Sequence, residues 1–134
     1  MTETHPLAPG LIGQTEARVT ENDLAHHVGS GDVAVYATPR LAALMEKAAI
    51  ASIRGLLEKD KTTVGARLDL SHLAPTPAGA LVRAEARLEA VDSKKLRFWI
   101  TAFDEWEKIG EAHHKRIIVS REKFVSRAEE KKEV

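Results

Sequence analysis

The chain has 134 residues, of which 43% are hydrophobic and 30% charged, and this composition predicts one compact domain with its own core. Its 20 basic and 20 acidic side chains cancel, so net charge favours neither nucleic acid nor an anionic membrane as a partner. With no cysteine, the chain has no disulfide, thiolate metal site or cysteine nucleophile. No apolar run reaches the roughly 18 residues of a membrane span, and MTETHPLAPG lacks a signal-peptide pattern. We therefore expect a cytoplasmic protein.

The first strong element along the chain is a helix that begins near Thr38. A short strand around residues 15–20 and a brief extended segment at 33–37 are predicted to precede it. Thr38 followed by Pro39 marks the start of the helix. A hydroxyl can accept a hydrogen bond from an unpaired backbone amide of the first turn, and proline is tolerated there. The helical spacing of apolar residues extends over 37–57, and EKDKTT ends it.

Glu46 is out of place on this helix. At about 100° per residue, the solvent-facing stripe is defined by residues that fall within about 40° of one another, namely Arg40, Lys47, Arg54 and Glu58. Glu46 projects instead between Ile53 and Leu57. A carboxylate among apolar side chains loses hydration, which disfavours its charge and suits it to proton transfer. The structural alternative is an edge residue whose side chain reaches water.

Four extended segments are predicted after the helix, at residues 63–73, 80–91, 94–104 and 108–119. The stretch ALVRAEARLEAV has residue types that favour helix, but its small and apolar residues alternate strictly with charged ones. Alternation is typical of a half-buried antiparallel strand. One long helix followed by a run of antiparallel strands predicts an α+β fold in which the sheet covers the helix.

A second polar residue interrupts an apolar face in TVGARLDLSHL. Alternation places His72 on the same side as the small and apolar residues Val64, Ala66, Leu68 and Leu70. A lone histidine on such a face is usually a hydrogen-bonded core residue. Here, however, a carboxylate and an imidazole converge on one helix–sheet interface, which indicates an acid–base or nucleophilic site.

Three segments carry a resemblance to a known family: GSGDVAVYATPRLAALMEKAA, TTVGARLDLSHLAPTPAGA and IGEAHHKRIIVSREKF. In their order and spacing they resemble the hotdog-fold thioesterases of the fluoroacetyl-CoA thioesterase-like family. The resemblance implies a single domain over 1–134, with a core at about 10–124 and a charged tail at 125–134. It also implies a curved sheet around a central helix and a homodimer, or a higher assembly, with acyl-CoA sites at the subunit interface. CoA is then part of the substrate, and no separate cofactor, metal, membrane or nucleic-acid partner is expected.

The resemblance also assigns roles to individual residues. The family's trio matches Thr38, Glu46 and His72: Glu46 would be the nucleophile or the general base, and His72 would orient the attacking group or assist proton transfer. Thr38 would hydrogen-bond the glutamate or the substrate, or only cap the helix. The Gly65 amide is a candidate for binding the thioester oxygen, or else the glycine marks a structural kink. Arg116 could serve the CoA phosphates, or simply pair or solvate.

These features predict an acyl-CoA thioesterase acting on a small acyl group, with two alternatives. A hotdog hydratase or dehydratase is disfavoured because ATPRL at the helix start lacks the hydration motif of such enzymes. A non-catalytic acyl-CoA binding module predicts binding without turnover. The fluoroacetyl-specific relative closes its pocket with aromatic residues ahead of the helix, where this chain has HHVGSGD, so the acyl group is left open.

Overall fold

A computed structural model describes residues 7–133 of the chain. A five-stranded sheet and one central helix dominate it. The strands are β1 (Ile12–Arg18), β2 (Lys61–His72), β3 (Leu81–Asp92), β4 (Lys95–Phe103) and β5 (Lys108–Ser120). The helices are the short α1 (Ala25–Val28), the central α2 (Thr38–Ser52) and the C-terminal α3 (Arg121–Glu130), and single 3-10 turns cover Glu21–Asp23 and Lys131–Glu133.

The strands are arranged in the order β1-β3-β4-β5-β2, and every neighbouring pair is antiparallel. The sheet packs one face on α2, whose Leu41, Met45 and Ala48 are fully buried against it. On β3, the alternating Val82, Ala84, Ala86 and Leu88 supply the facing layer, because successive side chains of a strand point to opposite faces. The predicted α+β arrangement of a sheet covering one helix is confirmed.

Sequence periodicity placed the four later strands to within two residues of their observed ends. The earlier elements differ more: β1 begins three residues before the predicted strand, and 33–37 forms only one isolated bridge, between Leu24 and Tyr36. The central helix ends at Ser52, five residues short of the prediction. There the Ser52 hydroxyl donates to the Ala49 carbonyl at 2.6 Å, an alternative to continued helical bonding, and Gly55 then turns the chain with φ +79°.

One strand departs from simple alternation in a way that affects the site. The pairing of β2 with β5 shifts between Gly65 and Arg67, so Ala66 is the extra residue of a β-bulge. Because of this bulge, Gly65 faces α2 together with Leu68, Leu70 and His72. The prediction that Val64 and Ala66 share that face is therefore wrong. A one-residue insertion switches the face toward which the residues on its N-terminal side point.

The predicted charged tail is helical over most of its length, because α3 extends through Glu130 with all its side chains exposed. Its first turn is capped by the Ser120 hydroxyl, which accepts from the Lys123 amide at 3.4 Å. Within residues 7–133, no helix is long and apolar enough to cross a membrane. The predicted lack of a targeting segment concerns the N-terminus, of which residues 1–6 lie outside the described part.

Candidate active site

The first helical residue and the last residue of β2 meet through their side chains. Thr38 Oγ1 lies 2.7 Å from His72 Nδ1, and the helix is preceded by Ala37 as its cap residue, with no side-chain capping bond. The predicted capping role of the Thr38 hydroxyl is therefore wrong, because that hydroxyl is engaged by the imidazole. Burial lowers the pKa of His72, and the nearby Ala74 backbone opposes the shift. His72 Nε2 is buried without a hydrogen-bond partner among the described residues.

Glu46 lies two turns further along α2, against polar groups of the sheet. Its Oε2 accepts a hydrogen bond from Arg116 Nη1 at 2.9 Å and lies 3.9 Å from His114 Nε2. The Glu46 side chain is 40% exposed, whereas that of Arg116 is only 5% exposed. The predicted apolar surroundings of Glu46 are thus wrong in detail, because β5 turns a cation and an imidazole toward the helix at this point.

The Arg116 guanidinium is held by four acceptors. Its Nε donates to Thr63 Oγ1 at 2.9 Å, its Nη2 donates to the Thr63 carbonyl at 3.2 Å, and its Nη1 reaches both Glu46 and His114 Nε2, the latter at 3.1 Å. A planar guanidinium group whose three nitrogen atoms all donate hydrogen bonds is fixed in orientation. Arg116 therefore holds the glutamate in place, and its predicted availability to CoA phosphates stays a prediction.

His114 is a residue of this cluster that sequence reasoning missed. Its Nδ1 lies 2.7 Å from the Arg67 carbonyl, so Nδ1 carries the proton and Nε2 accepts from Arg116. Burial is the main cause that lowers the pKa of His114, which keeps the ring neutral and able to accept. The available signal was alternation along β5, which places His114 on the same face as Arg116 and Ala112.

Gly65 lies directly under the Glu46 carboxylate. A β-carbon at this position would meet Glu46 Oε2 well inside contact distance, with Arg116 Nη1 3.5 Å away. The glycine does not have a positive φ, so the close approach of the carboxylate, rather than backbone strain, requires it. The strand bulge and the missing side chain together let the Glu46 carboxylate approach the backbone of β2 at this point.

The chain does not bring the predicted trio together. Glu46 lies eight residues after Thr38 on α2, which is about 12 Å along the helix axis. Gly65 is the fifth of the twelve residues of β2 and His72 is the last, so the two are about 20 Å apart along the strand. The structure therefore has two clusters, a hydroxyl–imidazole cluster of Thr38 and His72, and a carboxylate cluster of Glu46, Arg116, His114 and Gly65.

A cavity of 370 Å³ adjoins the hydroxyl–imidazole cluster. Apart from Thr38, His72 and Ser30, its lining is apolar or glycine, with Val33, Val35, Tyr36, Leu73 and Pro75 as its larger members. Tyr36 is fixed by donating its hydroxyl to the Arg40 carbonyl at 3.2 Å. Such a lining suits an apolar acyl group. Among residues 7–133, no group of three or more His, Cys, Asp or Glu side chains is arranged to hold a metal ion.

The curled antiparallel sheet around one central helix defines the hotdog-fold class of thioesterases. The structure of the fluoroacetyl-CoA thioesterase FlK superposes with a TM-score of 0.89 at 25% identity, over 95% of this chain and 98% of that one. A thioesterase superfamily member from Thermus thermophilus superposes with a TM-score of 0.88 at 27% identity, over 96% and 95%. The protein is accordingly a thioester hydrolase of this fold.

Sequence comparison identifies the family within that class. The model of the fluoroacetyl-CoA-specific thioesterase family matches residues 19–122. The fluoroacetyl-CoA thioesterase of Streptantibioticus cattleyicolor is 31% identical over 97 residues, which cover 72% of this chain and 70% of that protein. The chain belongs to the fluoroacetyl-CoA-specific thioesterase family, and the resemblance drawn from its motifs is confirmed.

Proposed function

We propose that the protein is a homodimeric acyl-CoA thioesterase that hydrolyses a small acyl thioester at a site shared by two subunits. The observation that carries the proposal is the carboxylate cluster. Among the described residues, hydrogen bonds hold Glu46 through Oε2 alone, and its 40% exposed side chain lies directly over Gly65. A carboxylate anchored through one oxygen is oriented for chemistry at the other.

In this proposal Glu46 acts on the thioester carbonyl, either as the nucleophile or as the base that deprotonates water. The C–O bond that forms places negative charge on the carbonyl oxygen, which the Gly65 amide stabilises. The C–S bond then breaks and the CoA thiolate takes up a proton. If water attacked, the acyl group leaves directly as the free acid; if Glu46 attacked, a water molecule then hydrolyses the acyl–glutamate anhydride, which releases the acid and regenerates the carboxylate. Arg116 acts by positioning Glu46, and no cofactor besides the CoA substrate is required.

Two subunits are proposed because Thr38, which contacts His72, and Glu46 lie about 12 Å apart along α2 in one chain. A two-fold axis that brings the hydroxyl–imidazole cluster of one copy to the carboxylate cluster of the other would complete two identical sites. His72 Nε2, which lacks a partner among the described residues, would then face the substrate. Thr38 would orient the imidazole through the 2.7 Å contact at Nδ1.

CoA is the proposed leaving group because a mutant of the fluoroacetyl-CoA-specific thioesterase, 26% identical to this chain, was solved in complex with fluoroacetate and CoA. The apolar cavity near His72 supports a small apolar acyl group. A thiol-release assay across short, branched and aryl acyl-CoAs tests the activity. A hydratase would change the acyl chain without releasing thiol, and a binding module would release none.

Subunit complementation tests the shared site. Glu46→Gln and His72→Ala are each expected to give inactive homodimers. Mixing them after reversible dissociation should restore about a quarter of wild-type activity, because half of the dimers become mixed and each mixed dimer regains one intact site of two. A site contained in one subunit predicts no recovery, since each active site would then still carry one of the two substitutions.

A further inference from the structure

The imidazole of His114 is held in one orientation on the helix-facing side of the sheet. Its side chain is 1% exposed and packs beside the Phe98 ring, with the ring centroids 6.0 Å apart. Nδ1 donates to the Arg67 carbonyl at 2.7 Å, directly after the bulge at Ala66. The bond made by one ring nitrogen sets the tautomer. Nε2 therefore carries the lone pair and accepts from a defined neighbour.

That neighbour is the Arg116 guanidinium, whose donors are almost all engaged. An arginine side chain has five N–H groups. Those on Nε and Nη2 bind Thr63 at 2.9 and 3.2 Å. Nη1 donates to Glu46 Oε2 at 2.9 Å and to His114 Nε2 at 3.1 Å. The imidazole thus occupies the one Nη1 hydrogen that Glu46 does not use.

This use of donors decides how the Glu46 carboxylate is bound. Arginine and carboxylate groups frequently pair through two parallel hydrogen bonds, which engage both carboxylate oxygens. Among the described residues, this pair uses only Oε2 of Glu46. His114 Nε2 is 3.9 Å from that oxygen, too far for a hydrogen bond, so the ring acts on Glu46 through Arg116.

Removal of the imidazole acceptor would change this pairing. Arg116 is only 5% exposed, so its second Nη1 hydrogen would be buried without a partner, which is costly. The other oxygen of Glu46 belongs to a group that Nη1 already binds, and it is the acceptor that can satisfy this hydrogen. Glu46 would then be held through both oxygens.

We propose that His114 is a positioning residue for the thioesterase reaction, because it accepts the Arg116 hydrogen that would otherwise bind the second oxygen of Glu46. The proposal rests on the proposed function, in which Glu46 attacks the thioester or deprotonates water. A hydrogen bond to the reacting oxygen would have to break first, and it would stabilise the carboxylate and weaken it as a base. His114 keeps that oxygen free.

Two amide substitutions separate the two hydrogen bonds of the ring. The side-chain nitrogen of asparagine is as many bonds from the backbone as Nδ1, and the side-chain oxygen of glutamine is as many as Nε2. His114→Asn therefore keeps the donor to Arg67 and loses the acceptor for Arg116, whereas His114→Gln keeps the acceptor. His114→Leu removes both bonds and stays apolar. His113 is exposed on the other face of β5, so His113→Asn is the matched control.

Steady-state thiol release should separate these variants by kcat. His114→Asn and His114→Leu should lower kcat at least about tenfold and leave KM within about twofold, because a charge-assisted hydrogen bond then holds the reacting oxygen. His114→Gln should keep kcat within about threefold of the wild type, and His113→Asn should leave it unchanged. Equal losses in the Gln and Asn variants, or a folded Asn variant with wild-type kcat, would overturn the proposal.

A Glu46→Gln background distinguishes this proposal from the proposed function. With no reacting carboxylate left to bind, His114→Asn should cause no further loss of the residual rate. A further loss would show that His114 acts elsewhere, which overturns the proposal and leaves the role of Glu46 intact. Near-normal turnover of Glu46→Gln alone would instead refute the proposed function.

Nitrogen-15 NMR of the histidine rings tests the hydrogen bonding without substrate, and on the wild-type protein. The chain has six histidines, and the His114 signal is the one absent from the His114→Gln spectrum. At neutral pH we expect the Nδ1–H tautomer, since only this form donates to Arg67 and accepts from Arg116 at once. An Nε2–H tautomer or a cationic ring would direct a donor at the Arg116 donor and would overturn the proposal.

Discussion

Replacing Gly65 by alanine should abolish most activity while leaving the protein folded. The added methyl group would meet Glu46 Oε2 well inside contact distance, and an ordinary contact requires the carboxylate oxygen to move by about 1 Å. That movement breaks the 2.9 Å bond to Arg116. Since a misplacement of about 1 Å can cost about 100-fold in rate, we expect kcat to fall by roughly that factor.

The stability change should be small for two reasons. The Glu46 side chain is 40% exposed, so a displaced carboxylate regains water, and the buried Arg116 keeps its three acceptors on Thr63 and His114. The lost pair therefore costs about 1 kcal/mol. Gly65 has no positive φ, so alanine fits the strand backbone and regains about 0.5 kcal/mol of chain entropy. The melting temperature should therefore shift by no more than about 4 °C.

The assay is steady-state thiol release, with thermal unfolding measured on the same samples. In a Glu46→Gln background, Gly65→Ala should cause no further loss, because its effect is transmitted through the carboxylate. A Gly65→Ala enzyme with wild-type kcat would refute the placement of Glu46 over this glycine. A further loss in the Glu46→Gln background would show that the methyl group acts elsewhere, for example at the neighbouring amide.

Four other outcomes are expected. Glu46→Gln should lower kcat by about 1000-fold, because the amide keeps the shape but neither attacks nor accepts a proton; near-normal turnover would contradict the assignment. His72→Ala should reduce kcat more than it raises KM, and a change in KM alone would make His72 a binding residue. Burial lowers the pKa values of His72 and His114, so both favour the neutral form in the folded protein. The free energy of unfolding should therefore decline as pH falls below about 6.5, which urea titrations at several pH values measure. His114→Gln should reduce the slope of unfolding free energy against pH. Arg116→Met should destabilise the fold by about 2–4 kcal/mol because buried acceptors lose their donor, and an unchanged urea midpoint would argue against the ion pair.

The sequence by itself determined the elements that depend on short-range periodicity. The strict alternation of β3 predicts its buried face, Val82 to Leu88, because side-chain direction in a strand has a period of two. The same periodicity singled out Glu46 and His72 as polar residues on faces turned toward the core. Thr38 and Pro39 marked the start of α2 correctly, since those residue types favour the first helical turn.

Only the tertiary structure decided how these residues are partnered. The bulge at Ala66 arises from the pairing of β2 with β5, and no local pattern reveals a register shift between strands 50 residues apart in the chain. Arg116 and Glu46 meet across 70 residues, which periodicity within one element does not encode. The separation of Thr38 and His72 from Glu46 likewise follows from the length of α2 and its position on the sheet. Local sequence sets which face a side chain takes, but long-range packing sets which group it meets there.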